Sequence, residues 1–317
     1  MANPIPEPLS KWLESVNSMK QQMLESGFKL TPSNARETLD MLTRHFVSTA
    51  PVIPIVKDDL VPGQQFQVPV RIYHPQPDKP LPILVFAHGG GHMAGSLSLY
   101  DPISRRLARA SSHIVISVDY RLAPECPYPN GVVDLVSVIK GIQPVLSSLD
   151  LKFEPRTSIA GDSAGGALCA SCAHLLQFDS GINIHRQALI YPSLDYTLSQ
   201  PSVSAIGEGY LLERDRILWY FNNYFQGFEN RRDASPLFMP CSDRLPETLV
   251  LTAEYCPLRD EGMAYTERLS NAGIRAEHHQ FDGMIHAFLN LEDMVKEHCD
   301  MAYQRIGEFL NSLGPRK

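Results

Sequence analysis

"SIAGDSAGGALCAS", Ser158 to Ser171, sets the reading of this chain. Its opening residues belong to an apolar run with the texture of a buried strand, predicted over 157–160. Its closing residues are the small, apolar side chains of a helix predicted over 163–176. Between them lies Gly161-Asp162-Ser163-Ala164-Gly165. A G-x-S-x-G pattern at a strand-to-helix turn reads as a nucleophile elbow. The turn must be tight enough to project the serine hydroxyl, and the flanking glycines let neighbouring backbone and the following helix approach. Ser163 is the candidate nucleophile.

Outward from this stretch the chain alternates. Strands are predicted over 55–60, 68–74, 83–87, 113–118, 157–160, 188–191, 248–253 and 276–281. Helices are predicted over 101–110, 131–146, 163–176, 258–272 and 293–313. Strand and helix in alternation predict an α/β fold: a mostly parallel sheet with helices on both faces. Two segments fall outside the alternation. Before Val52, Leu9, Trp12, Leu13, Val16 and Met23 form a helical stripe with Gly27 as its stop, and Thr31-Pro32 reads as the cap and first turn of a second helix. Between Tyr196 and Leu245, "ERDRILWYFNNYF" reads as an aromatic-faced helix in an insertion. The expected division is 1–51 as N-terminal helices forming part of a cap, 52–195 and 246–317 as the core, and 196–245 as the cap insertion.

A chain of 317 residues suffices for one large domain with an insertion. Its formal net charge of -7 argues against nucleic acid or an anionic membrane as partner. No stretch is read as a membrane span and no apolar leader core opens the chain, so a cytoplasmic address is the default expectation. Of the six cysteines, Cys169 and Cys172 have CxxC spacing, but no second pair accompanies them. A zinc site is therefore not expected, and both read as small buried helix residues.

"FAHGGGHMAGS", 86–96, is a second signal. Gly89, Gly90 and Gly91 follow a buried strand and expose backbone N–H groups without side chains in the way. With the N–H of Ala164, such donors can surround an oxygen that becomes negative during attack on an ester. A phosphate loop would need a following Lys-Ser/Thr or a spaced G-x-G-x-x-G, and neither is present. The base is sought after the last strand, in "HHQFDGMIHAFLN", 278–290. His278 and His279 lie within the strand and read as packing or surface residues; His286, in the loop beyond, is the candidate base.

"HGGG", "VDYRLAPECPYP", "GDSAGG" and "IHAF" occur in this order. From about Val52 onward the chain resembles the hormone-sensitive-lipase-like family of α/β-hydrolase esterases. The resemblance implies an eight-stranded sheet, a helical cap, short-chain carboxylic ester substrates and no cofactor or metal. It implies Ser163 as nucleophile, His286 as base, and Gly90, Gly91 and Ala164 as oxyanion donors with Gly89 supporting the loop. It also allows a homodimer through the last strand and its neighbouring helix.

Three positions depart from the family pattern. His92 stands where an aromatic residue is common, and Ala167 where Asn is common. Cys256, in "CPLRD", stands where the family has the triad aspartate. A neutral thiol orients and charges a histidine poorly, being a weak acceptor. A thiolate would do better, and a helix N-terminus beginning at Pro257, with Arg259 nearby, is expected to favour one. Asp260, Glu254 and Asp195 are the alternative carboxylates, each with a purely structural reading beside it. The functional expectation is a carboxylic ester hydrolase with lowered activity. Its rival is a ligand-binding protein on the same scaffold, as in the plant gibberellin receptors, which resemble this family.

Overall fold

The computed structural model describes residues 3–312. Strand β3, Leu81–Ala87, is buried at every residue. Leu84 and Phe86 enter the core on one face of the sheet, and Ile83, Val85 and Ala87 enter the core on the other. A strand covered on both faces has no solvent side, so a continuous apolar run replaces alternation. Strand β4, Ile114–Val118, is buried throughout for the same reason. These two strands are parallel, as are β5 (Phe153–Asp162), β6 (Ile184–Ile190), β7 (Glu247–Tyr255) and β8 (Ala276–Ile285) with their neighbours. Strands β1 (Ile55–Pro62) and β2 (Gln67–His74) complete one edge in antiparallel pairing. The sheet has eight strands in the order β1-β2-β4-β3-β5-β6-β7-β8.

Helices α3 (Asp101–Ser111) and α10 (Lys296–Asn311) pack on one face through Ile103, Leu107, Ile306 and Leu310. Helices α4 (Asn130–Ser148), α5 (Ala164–Leu176) and α9 (Arg259–Asn271) pack on the other through Leu135, Leu168 and Leu269. The last helix starts three residues later than predicted, because a short 3-10 turn ending at Met294 precedes it; position 313, its expected end, lies outside the described residues. Helix α4 is long and apolar enough by length and composition to cross a bilayer. Its apolar character has another cause: Val138, Ile142 and Leu146 fill the core against the sheet.

The two segments outside the alternation are helical. Helix α1 spans Glu7–Glu25, and Gly27 follows it at φ +78°. Helix α2 spans Pro32–Phe46. The Thr31 Oγ1 accepts from the Asn34 N–H at 3.2 Å and Asn34 Oδ1 accepts from the Thr31 N–H at 2.8 Å, a reciprocal cap. Beyond β6 lie α6 (Pro201–Ala205), α7 (Arg214–Tyr224) and α8 (Arg231–Ala234). The Asn17 side-chain amide donates to the Gly209 carbonyl at 3.0 Å, and Lys20 pairs with Glu213, so α1 is tied to the chain leading into α7.

In the sheet order, β4 and β5 flank β3. The connection leaving β3 runs to β4 on one side and the connection leaving β5 runs to β6 on the other, so a crevice opens between the carboxyl ends of β3 and β5.

Candidate active site

Ser163 occupies the turn between β5 and α5 at φ +52° and ψ -118°. A non-glycine residue there is strained by roughly 1–3 kcal/mol and persists only where its surroundings hold it. Those surroundings are specific. The Ser163 N–H donates to the Ile190 carbonyl at 2.8 Å, and the Ser193 N–H donates to the Ser163 carbonyl at 3.2 Å. Helix α5 passes so close to β3 that a Cβ at Gly165 would lie 2.0 Å from the Ala87 carbonyl oxygen.

The carboxyl ends of β7 and β8 bring two more groups to the serine. His286 Nε2 lies 2.9 Å from Ser163 Oγ. On the other side of the ring, Nδ1 lies 3.1 Å from Cys256 Sγ. The Tyr191 ring meets the imidazole edge-on at 4.9 Å between centroids. Ser163, His286 and Cys256, separated by up to 123 positions in sequence, form one chain of contacts.

Burial determines the charge state of this chain. Desolvation lowers the His286 pKa to about 3 from its ordinary 6.5. It also pushes the Cys256 thiol well up; the Leu258 N–H, which donates to Sγ at 3.3 Å, and Arg259 pull the other way but are outweighed, and the Glu261 carboxyl raises it further. Cys256 is therefore a neutral thiol at neutral pH. The expected help from a helix N-terminus is also weaker than the sequence implied. Leu258, not Cys256, is the cap of α9, and Arg259 is its first residue. Position 256 nevertheless retains donors suited to an anion, in the Leu258 N–H and the His286 ring.

Each alternative carboxylate is occupied elsewhere. Asp260 accepts from the Ser202 N–H at 2.9 Å and from Arg259 Nε at 2.8 Å, fastening α6 to α9. Glu254 accepts from the Asn3 N–H at 3.0 Å and the Gly283 N–H at 2.8 Å. Asp195 accepts from the Thr197 N–H at 2.8 Å and the Ser199 N–H at 3.0 Å, closing its own turn. Among the described residues, none of the three hydrogen-bonds to His286. The two other histidines of that stretch are apart from it as well: His278 Nε2 lies 2.8 Å from Thr252 Oγ1, and His279 packs edge-on against Phe281.

The glycine loop after β3 is fastened to the elbow by Asp162, whose role the sequence did not reveal. Its Oδ1 accepts from the Gly89 N–H at 2.7 Å and its Oδ2 from the Tyr100 hydroxyl at 3.2 Å. Desolvation raises this carboxyl to about 7. Gly89 thus spends its N–H on the loop, whereas those of Gly90 and Gly91 find no acceptor among the described residues. Gly90 has φ +118°, and a Cβ there would meet the Ala94 carbonyl at 2.2 Å. The Tyr120 hydroxyl supports the same loop, donating to the His88 carbonyl at 2.7 Å. His92 is buried and stacked on Tyr224 at 3.8 Å, and burial lowers its pKa to about 3. This departure from an aromatic residue leaves a neutral ring. Ala167 is wholly buried in α5. Cys169 and Cys172 are buried, and all six cysteines are free. No His/Cys/Asp/Glu cluster able to hold a metal occurs among the described residues.

A cavity of about 150 Å³ lies over the serine. Its wall includes Ser163, His286, Gly90 and Gly91 from the sheet side, Leu39 and Leu42 from α2, and Ile217 and Tyr220 from α7. The Tyr220 ring lies where a Cβ on Gly91 would be, 2.5 Å away. Arg216 also lines the cavity, a residue the sequence did not single out because nothing local marks a solvent-facing arginine from a cavity-facing one.

Residues 84–290 match the family described as alpha/beta hydrolase fold. The chain is 31% identical to an ethyl acetate hydrolase of Pseudomonas putida over 87% of this chain and 92% of that protein. It is 36% identical to the carboxylesterase NlhH of Mycobacterium tuberculosis over 72% of this chain and 73% of that one. Among solved structures, an ester-hydrolase from the metagenome of Lake Arreo, complexed with a derivative of bipyridine phosphonate, superposes with a TM-score of 0.88 at 30% identity, covering 97% of this chain and all of that one. The hyperthermophilic esterase of Pyrobaculum calidifontis gives a TM-score of 0.85 at 32% identity, covering 97% and 98%. The strand order, the strained serine and these likenesses agree: the chain belongs to the hormone-sensitive-lipase-like family of α/β-hydrolase carboxylesterases.

Proposed function

We propose that this serine esterase hydrolyses short-chain carboxylic esters through an acyl-Ser163 intermediate, with Cys256 in the acid position and a correspondingly lowered rate. The observation that carries the reading is the 2.9 Å contact between Ser163 Oγ and His286 Nε2 at the wall of an apolar cavity. In the first half-reaction Oγ attacks the ester carbonyl while Nε2 takes its proton. The carbonyl oxygen, now negative, is met by the N–H groups of Gly90, Gly91 and Ala164. Collapse expels the alcohol, which receives the proton from the imidazolium. Water then repeats the sequence on the acyl-enzyme and releases the acid. Residues 1–51 and 196–245 act as a cap on the core formed by 52–195 and 246–317, a division supported by the α2 and α7 side chains in the cavity wall.

The lowered rate follows from the tautomer. An ionised aspartate only accepts, so it holds the proton on Nδ1 and leaves Nε2 free to act as base. A neutral thiol has its own proton to donate. When S–H points at Nδ1, the ring carries its proton on Nε2, facing the nucleophile it should deprotonate. The test is a panel of p-nitrophenyl esters with Ser163→Ala as control. Saturable turnover that vanishes in Ser163→Ala, together with loss of organophosphonate labelling, is expected. Tight ester binding without turnover would instead favour a binding protein on this scaffold.

A further inference from the structure

Arg216 is a cation without an anion. It lies on α7 and lines the cavity that holds Ser163 and His286. No carboxylate lies within ion-pair distance of it among the described residues; arginines such as Arg36, Arg71, Arg106 and Arg121 are paired, and those that are not, such as Arg109, Arg231 and Arg244, do not line this cavity. It lies one helical turn before Tyr220, and its charge offsets part of the rise that burial imposes on that phenol. Tyr220, one turn further along α7, covers Gly91. The cation thus shares a cavity wall with Gly90 and Gly91, among leucine, isoleucine and aromatic side chains.

Among the described residues the wall contains one acid, Asp162. Its carboxyl is engaged by the Gly89 N–H and the Tyr100 hydroxyl, and burial favours its neutral form. It is therefore a poor partner for Arg216. A half-buried guanidinium in the wall of an apolar cavity draws a carboxylate, because the planar fork donates two parallel hydrogen bonds. The protein itself is acidic, so long-range attraction of an anion is not the cause of such a preference; the selectivity is local to the cavity.

We propose that Arg216 is a specificity determinant that pairs with a carboxylate on the substrate, so that the preferred substrates are esters carrying a second, free carboxylate. The class includes half-esters of short dicarboxylic acids and acyl esters of short hydroxy acids. This rests on the esterase reading above and adds to it the chemical character of the substrate.

Two pairs of near-isosteric esters test it, followed by titration of released acid. In each pair a carboxylate replaces an isopropyl group of similar shape: monoethyl succinate against ethyl 4-methylpentanoate, and 3-acetoxypropanoate against 3-methylbutyl acetate. The quantity read is the ratio of kcat/KM for the anionic ester over its neutral partner. In the parent at least one pair gives a ratio above one, carried mainly by KM. Arg216→Gln lowers that ratio by about 10–100-fold, the range for hydrogen bonds to a charged group. Arg216→Lys retains part of it, and raising the salt concentration reduces it in the parent. A general loss of folding or of catalytic geometry lowers both members of a pair and leaves the ratio in place. Faster hydrolysis of the neutral ester in both pairs, or a ratio unmoved by Arg216→Gln, would overturn the proposal while leaving the esterase intact. No Ser163-dependent turnover of any of the four would overturn the esterase reading and this proposal with it.

Discussion

Cys256→Asp is expected to make this protein a faster enzyme. The proton taken from Ser163 must reside on a ring whose pKa burial has lowered from 6.5 to about 3. At about 1.4 kcal/mol per factor of ten, that gap sets roughly 4–5 kcal/mol against the imidazolium. A carboxylate facing Nδ1 offsets much of it: two unit charges ~4 Å apart at an effective dielectric of ~20 attract by ~4 kcal/mol. Part of the gain is spent in desolvating the new carboxylate. The Leu258 N–H, 3.3 Å from the present sulfur, and Arg259 reduce that cost. A net gain of about 2–3 kcal/mol corresponds to about 30–150-fold in kcat, below the ~10⁴ associated with a wrong triad tautomer in a serine protease. KM should change little, since Cys256 does not line the cavity over Ser163. The assay is steady-state hydrolysis of p-nitrophenyl butyrate by both proteins, with circular dichroism and melting temperature confirming equal folding. A folded Cys256→Asp protein no faster than its parent would refute the argument that the acid position limits this enzyme.

Four further outcomes follow from the structure. Cys256→Ala should lower kcat by less than about 10-fold, because a neutral thiol contributes only a weak hydrogen bond; a much larger loss, in steady-state kinetics, would mean that the sulfur carries charge. With the neutral ring as the proposed base and burial holding His286 to about 3, the acid limb of the parent's kcat/KM profile should fall well below pH 6.5, and Cys256→Asp should move it upward by stabilising the imidazolium. The folded-state pKa values of His88, His92 and His286 are all depressed, to about 4, 3 and 3, so at these sites the unfolded chain binds protons first; Asp162, raised to about 7, acts in the opposite sense and offsets part of this, and the net expectation is a melting temperature that declines as pH falls from 6.5 toward 4. Gly165→Ala places a methyl group 2.0 Å from the Ala87 carbonyl, and thermal unfolding should report a loss of at least 1–3 kcal/mol, the usual range for overpacking.

Much of this molecule was legible in its sequence because the deciding patterns are local. The strand at 83–87 is apolar at nearly every position since both its faces are covered, and the helix after Ser163 is built of small residues since it packs closely on β3. Periodicity and composition report such burial directly. The cap of α2 and the elbow are also short-range: the hydrogen bonds of Thr31 with Asn34, and a turn that only certain neighbours permit. The sequence therefore determined the strand–helix alternation, the candidate serine and histidine, and the anomaly at 256. Only the tertiary structure decided what that anomaly means. Whether Cys256 is thiol or thiolate depends on how completely the surrounding elements exclude water, and the residues responsible come from α9, the loop after β8 and the core between them. Whether Asp260, Glu254 or Asp195 reaches the histidine depends on which distant N–H groups engage them first, from Ser202, Asn3 and Gly283, and Thr197 and Ser199. Arg216 was unreadable for the same reason. A side chain's charge is written in the sequence, but the dielectric around it and the partner it lacks are properties of elements brought together by the fold.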